Sequence, residues 1–401
     1  MTPGRDLLVA GAPPGDAAGL SVMTATLLDA LEPSNDVSLL THHISAIPTA
    51  RTNGGARAAI SLGVQPLMIH GEAIVAARLH RRHVRPFAYG WAVGSRYAES
   101  LRAAGLPYLI WEATTLRDEI VHAKVADVRS AGRGSGIGTL LHKATLPLDE
   151  RLERRLYRRA KAVLAISAYT ADRIRDLHGL CRDTVRVLPP PPTSSFLKAL
   201  EDAQRASVRA QTRDDESCSL DLLFVGRVDD PRKNFALLRD ALRKLRQERV
   251  AVRLTVIGPY NDEWLGSLGL DGDDAITFLG KVSHSVLPVE LLRHHALVVS
   301  SRQEGFGIVV SEAMHAGLPV VATRCGGPEQ VLRESGAGIL VDHTAHALAV
   351  AISELAAHES LRKKFGELGR AYAERELSPL KFQQRVSEEL ELLRTSPALA
   401  R

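Results

Sequence analysis

Two charged clusters in this sequence have the residue types and the spacing to do chemistry. Glu304 and Glu312 bracket the glycine-rich run EGFGIVVSE, and Arg227 and Lys233 lie in LLFVGRVDDPRKNF, Leu222–Phe235. Each cluster follows a short apolar run that reads as a strand and leads into a periodic stretch that reads as a helix. The amino end of a helix offers N–H groups with no acceptor inside the helix, which suits a phosphate. Around Gly307–Val309 those groups are placed for this, and Gly305 and Gly307 let the backbone come close to a ligand. Gly317 reads as the helix stop. Arg227 and Lys233 flank the mouth of the next helix, with Asn234 as its N-cap, and two cations there make a diphosphate clamp. The plainer reading pairs them internally with Asp229 and Asp230.

Spacing limits what the two glutamates can share. If both were helical, eight steps of roughly 1.5 Å would part their backbones by about 12 Å. Carboxyl pairs that cleave one glycosidic bond stand roughly 5–9.5 Å apart. Glu304 and Glu312 are therefore expected to hold opposite ends of an extended ligand.

Two series of elements must carry these groups. In the first half, strand runs at Leu7–Ala10, Val37–Leu40, Pro66–Ile69, Phe87–Trp91, Leu109–Trp111 and Ala162–Ile166 alternate with helical stretches, including Leu20–Leu31 and the charged Asp149–Lys161. Arg129–Gly138 reads as a mobile Gly/Ser loop. The prolines of LPPPPTSSF, Leu188–Phe196, cannot continue a helix or a central strand, so they read as a stiff linker. A second series follows, with strands near Leu222–Val225, Arg253–Ile257, Ile276–Leu279, Leu297–Ser300, Pro319–Ala322 and Ile339–Val341. Its helices fall at Asn234–Gln247, Val286–His294 and Val309–Ala316, and a helical segment covers Ser360–Arg394. Short apolar strands separated by helices give parallel sheets covered on both faces. The expected fold is α/β, with two doubly wound Rossmann-like domains facing a cleft. Residues 1–188 form the first domain and 189–376 the second, and a 377–401 helix packs back toward the first. Open parallel sheets bind ligands beyond the carboxyl ends of their strands, where both charged clusters lie.

Composition narrows the partners. The 51 lysines and arginines against 46 acids leave a net charge of +5, which suits anionic ligands or simply a solvated basic surface. The basic tracts Arg78–Pro86 and Arg151–Lys161 could touch an anionic membrane, but they lack the aromatic interleaving of a nucleic-acid site. The 3 cysteines, Cys181, Cys218 and Cys325, have neither metal-ligand spacing nor an even count for a disulfide framework. The opening residues lack a signal-peptide core, and no apolar run reaches membrane-span length. A cytoplasmic protein, extending to peripheral contact at the inner membrane face, is expected. Neither half carries Gly-x-Gly-x-x-Gly after its first strand, which argues against a dinucleotide oxidoreductase.

The second half resembles the retaining family 4 glycosyltransferases, which have the two-domain GT-B architecture. The likeness is carried by GRVDDPRKN, VIGPY at Val256–Tyr260, FLGKVS at Phe278–Ser283, EGFGIVVSE and AGLPVVATRCGGPEQVL at Ala316–Leu332. In the first half, RAKAVLAISAYTADRI, Arg159–Ile174, is similar to the family's strand–Ser–helix unit, and Gly15–Ser21 to its glycine loop. The resemblance implies transfer of a sugar from a nucleotide-diphosphate sugar, with retained anomeric configuration and no metal or other cofactor. The acceptor would be a small molecule, a glycan or a lipid-linked group. By position, Arg227 and Lys233 would neutralise the diphosphate, Glu312 would meet the ribose hydroxyls and Glu304 the sugar hydroxyls. The N–H groups of Phe306, Gly307, Ile308 and Val309, beside Gly305, would bind phosphate or sugar oxygens. Backbone near Lys281 and Val282 would meet the base, and Gly19 would allow close approach from the first domain. Many members place a histidine at the end of a first-domain strand. Here Glu112 stands at that place, either acting on the substrates or capping the next helix, with His122 and His142 nearby in sequence. Hydrolysis or carbon–nitrogen coupling on a sugar nucleotide, or binding without turnover, are the alternatives.

Overall fold

The computed structural model describes residues 7–12, 19–31, 37–41, 87–115, 117–118, 136–210, 219–260, 266, 274–283 and 286–395. They fall into two compact units, each built on one six-stranded sheet in which every pairing is parallel.

The first unit holds strands β1 (Leu7–Gly11), β2 (Val37–Thr41), β3 (Tyr89–Val93), β4 (Tyr108–Glu112), β5 (Ala162–Ala165) and β6 (Val185–Val187), in the order β2-β1-β3-β4-β5-β6. Its helices are α1 (Gly19–Leu31), α2 (Ser95–Ala104), α3 (Gly136–Arg159) and α4 (Ala168–His178). β1, β4 and β5 are buried along their whole length, as expected for strands covered on both faces. The strand–Ser–helix unit forms: Ser167 caps α4 by accepting the Thr170 N–H at 3.0 Å, and Gly179 ends the helix in the left-handed conformation.

The second unit holds α5 (Ser194–Ala210), β7 (Leu220–Val225), α6 (Phe235–Gln247), β8 (Val252–Ile257), β9 (Ile276–Gly280), α7 (Val286–Arg293), β10 (Ala296–Val299) and α8 (Ile308–Ala316). β11 (Val320–Thr323), α9 (Gly327–Ser335), β12 (Gly338–Val341), α10 (Ala345–Ala357) and α11 (Glu359–Glu376) complete it. The order β12-β11-β10-β7-β8-β9 reverses direction between β7 and β10. β10 and β11 are fully buried, whereas β9 lies at the edge and alternates between half-buried and exposed. Helix α6 buries Phe235, Leu238, Ala241, Leu242 and Leu245, a 3–4 spacing that puts all five on one face. Phe235 meets Phe224 of β7 edge to face, with ring centroids 5.1 Å apart.

The C-terminal helical segment is two helices, α11 and α12 (Pro379–Thr395). Proline at the first position of α12 lacks the N–H that a continuous helix would need. α11 belongs with the second unit and α12 with the first, where α12 packs on α1 and sets Phe382 5.1 Å from the Trp111 ring.

Other differences are local. Gly136–Gly138, expected in a loop, open α3, and the charged helix expected from Asp149 is the second half of that 24-residue helix. β6, α2, α5, α9 and α10 were not singled out in the sequence. Pro66–Ile69, Arg78–Pro86, residues 129–135, His122, Cys218 and Gly15–Ala18 lie outside the described residues, and His142 falls on α3.

Candidate functional site

Where strand order reverses in an open parallel sheet, the loops leaving the two central strands diverge and open a crevice. In the second unit those strands are β7 and β10. Their loops, 226–234 and 300–307, are the two segments that carry the charged clusters.

The structure brings the clusters together. Lys233 Nζ donates to Glu304 Oε1 at 2.6 Å, and Ser301 Oγ donates to the same oxygen at 2.7 Å. Ser300 Oγ donates to the Lys233 carbonyl at 2.9 Å. Two adjacent serines at the end of β10 thus fix both members of the ion pair. Thr323, at the end of neighbouring β11, donates to the Ser301 carbonyl at 2.5 Å and so ties a third strand into the site. The Glu304 backbone pairs with the loop after β11: its N–H donates to Cys325 O at 2.7 Å, and its carbonyl accepts from Gly327 N at 3.0 Å. This close approach needs glycine, because a Cβ at Gly327 would lie 2.4 Å from Phe306 Cα.

Gly307 precedes α8 with φ 77°, a left-handed turn that aims the helix start at the crevice. Its side makes no cap, and the N–H groups of Phe306, Gly307, Ile308 and Val309 have no acceptor among the described residues. Gly317 ends the helix in the left-handed conformation, as its position in the sequence suggests.

The second cation is less engaged. Arg227 is exposed, and its guanidinium stands 3.4 Å from Asp230. Arg232 holds Asp230 far more closely, with side-chain contacts of 2.7–3.2 Å and a backbone N–H at 2.9 Å. Although burial works against the charge, these bonds keep the buried Asp230 carboxyl below its ordinary pKa. The internal pairing considered for Arg227 therefore falls mainly to Arg232, which the sequence reading did not single out. Asn234 sits at the N-cap of α6 but makes no side-chain cap; its φ is 50°, and its Oδ1 accepts from Arg302 at 3.2 Å. In that left-handed conformation its side chain has turned from the helix start to the next loop.

Glu312 lies one turn into α8. It is half-buried by accessible surface, yet protein surrounds its carboxyl closely enough that desolvation raises its pKa to about 7. It has no hydrogen-bond partner among the described residues. Val282 follows Gly280 at the end of edge strand β9, on the same sheet but at its outer strand.

Gly19 and Glu112 lie in the first unit. Gly19 opens α1 after β1. Glu112, at the end of β4, is 5% exposed. Its Oε2 accepts from Ser95 N at 2.7 Å and from the Tyr157 hydroxyl at 3.0 Å. The Tyr157 hydroxyl also lies 3.1 Å from Glu153 Oε1, which accepts from Ser95 Oγ at 3.2 Å. His178 Nε2 stands 3.0 Å from the second Glu153 oxygen. Burial and the two carboxylates push the Tyr157 hydroxyl well above its ordinary pKa. Ser95 is the first residue of α2, and Gly94 before it offers no side-chain cap. The geometry favours a capping role for Glu112, but the helix it caps is the preceding one, not the next: its carboxylate closes the start of α2 from the neighbouring strand.

Comparison with known proteins matches this layout. The family model described as Glycosyl transferases group 1 matches residues 219–358, and that described as Glycosyltransferase Family 4 matches residues 121–191. Both matched segments are similar to glycosyltransferases, the earlier one to family 4. Among curated relatives, a phosphatidyl-myo-inositol mannosyltransferase of Mycobacterium leprae is 34% identical over 150 residues, covering 37% of this chain and 40% of the relative. An alpha-D-kanosaminyltransferase of Streptomyces kanamyceticus is 27% identical over 235 residues, 57% of this chain and 60% of the relative. The chain thus matches about half the length of these curated relatives. Sucrose-phosphate synthase from Thermosynechococcus elongatus superposes with a TM-score of 0.75 at 19% identity, covering 98% of this chain and 100% of that one. An Anabaena protein crystallised with UDP and glucose gives 0.68 at 16% identity, over 96% and 99%. At these identities the likeness shows the fold, GT-B, and nothing finer.

No helix among the described residues is long and apolar enough to cross a membrane. Among the same residues no group of three or more His, Cys, Asp or Glu side chains clusters as a metal site.

Proposed function

We propose that this chain is a hexosyltransferase that moves a sugar from a nucleotide-diphosphate sugar to an acceptor hydroxyl, retaining the anomeric configuration and using no metal. One observation carries the reading: Lys233 and Glu304 meet at the reversal point of the second sheet, beside a helix start whose first N–H groups find no acceptor among the described residues.

The chemistry follows from where charge develops. As the glycosidic bond breaks, negative charge grows on the departing diphosphate. Fixed cations and oriented N–H groups aimed there stabilise the transition state with little reorganisation. In this reading Lys233, Arg227 and the N–H groups of Phe306–Val309 serve the diphosphate. Glu304 serves the sugar hydroxyls, and the unpartnered Glu312 carboxylate accepts from the ribose. Backbone near Val282 serves the base, and Gly19 leaves room for close approach of a ligand to the start of α1. Glu112 supports the first unit instead of taking part in bond making.

The acceptor is a small molecule, a glycan or a lipid-linked group, and the protein works in the cytoplasm with peripheral contact at the inner membrane face. The names of the relatives make GDP-mannose and UDP-glucose reasonable first donors. The test is to incubate the protein with each donor, an acceptor pool and a chelator, and to determine the product's linkage. Chelator-resistant transfer with retained configuration is expected. Donor hydrolysis alone, inversion, or an absolute need for a divalent cation would overturn the corresponding part.

A further inference from the structure

The Lys233–Glu304 pair raises a difficulty for a phosphate site. The cation meant for the diphosphate is paired with a carboxylate at 2.6 Å, and that carboxylate would repel an arriving anion. The pair is not a loose surface contact. Ser301 holds the carboxylate and is itself held through its carbonyl by Thr323, Ser300 holds the Lys233 backbone, and the two side chains are only 23% and 15% exposed. Glu304 Oε2 has no partner among the described residues, so one oxygen remains available to accept a further hydrogen bond.

We infer that this ion pair couples recognition of the sugar to recognition of the diphosphate, so that the site favours an intact sugar nucleotide over the nucleoside diphosphate left after transfer. A diphosphate arriving alone must compete with Glu304 for Lys233. A sugar nucleotide brings hydroxyl groups that donate to Glu304 and replace the ammonium, which then turns to the phosphates. Once the sugar has gone, Glu304 has no hydroxyl partner and reclaims Lys233, which weakens the hold on the product. Ser300, Ser301 and Thr323 are the positioning residues, since they keep the carboxylate and the ammonium within reach of each other.

The inference rests on the sugar-nucleotide reading of the site, and its test separates the two. Wild type, Glu304→Gln and Glu304→Ala are titrated calorimetrically with UDP, GDP, ADP and dTDP, and with the glucose or mannose conjugate of each. Thermal unfolding confirms that each variant is folded. Wild type should bind one conjugate more tightly than its diphosphate. Both Glu304 variants should bind the bare diphosphate about fivefold more tightly than wild type, the value of a partly exposed ion pair, and should lose the preference for the conjugate. In a Lys233→Ala background, Glu304→Gln should give no such gain beyond the relief of plain repulsion, which added salt removes. Unchanged or weaker diphosphate binding in both Glu304 variants overturns the coupling and leaves the sugar-nucleotide reading standing. A wild type that takes up none of either set overturns that reading, and the coupling falls with it.

Discussion

Each unit gathers carboxylates at the end of a central strand, and the two gatherings differ in what they leave unspent. In the first unit Glu112, Glu153, Tyr157, Ser95 and His178 face one another in the interior, and the bonds of Glu112 go to a helix start and a tyrosine. In the second unit, among the described residues, Glu304 bonds through one oxygen, Glu312 has no partner and the first N–H groups of α8 find no acceptor. A buried carboxylate whose bonds go to the backbone and core of its own unit specifies structure, whereas one with spare capacity on an accessible side can receive a ligand. Carboxylate at a strand end is therefore too coarse a signal by itself. What separates a cap from a ligand-binding group is the number of bonds its neighbours have already taken.

Mutation can break or sharpen this contrast. The largest effect should come from Glu112→Ala. It leaves the Ser95 N–H without its acceptor in the interior and the Tyr157 hydroxyl with Glu153 alone, at a cost of about 3 kcal/mol of folding stability. Chemical denaturation should show that loss while nucleotide affinity stays near wild type; a stable variant with abolished transfer would return Glu112 to the reacting centre. Lys233→Ala should do the reverse, with affinity for the sugar nucleotide falling by roughly 1.5–3 kcal/mol and stability changing little. Equal affinity by calorimetry would remove the clamp.

A smaller effect concerns pH. Burial holds the Glu312 pKa at about 7, above its value of 4.5 in an unfolded chain. Between those values the folded protein keeps a proton that the unfolded chain gives up. Stability should therefore be highest at the acid end of that window and fall as pH rises toward 7. Glu312→Gln should flatten this decline. Ribose binding should draw the carboxyl toward its ionised form and release part of a proton near pH 7, which calorimetry in buffers of different ionisation enthalpy detects. Identical heats after buffer correction would count against the ribose assignment. Smallest of all, Arg227→Ala should cost no more than about 1 kcal/mol of donor affinity, because its exposed guanidinium is screened by solvent.

Much of the second unit was legible in the sequence because its central strands are short, apolar and largely buried. β7, β10 and β11 lie within one or two residues of the runs that announced them. β6 has only 3 residues and one buried position, too few for a pattern to show. α9 begins Gly-Pro behind its N-cap Gly326, a run that reads locally as a turn; Gly327 packs closely against Phe306, and proline suits the first turn of a helix. Pro147 and the glycines at its start obscure the first half of α3. In the site, Arg227, Lys233, Glu304 and Glu312 could be chosen by charge and place. Tertiary geometry alone shows that Arg232 takes Asp230, that Ser300 and Ser301 divide the ion pair between them, and that Glu112 is committed to α2.

The central claim is that the start of α8, with Lys233, receives a diphosphate. A crystal structure of the protein with the nucleoside diphosphate that binds it best tests this directly. The account predicts phosphate oxygens within hydrogen-bonding distance of Lys233 Nζ and of N–H groups between Phe306 and Val309. A diphosphate bound elsewhere, with the Lys233–Glu304 pair intact and the helix start unoccupied, would contradict it.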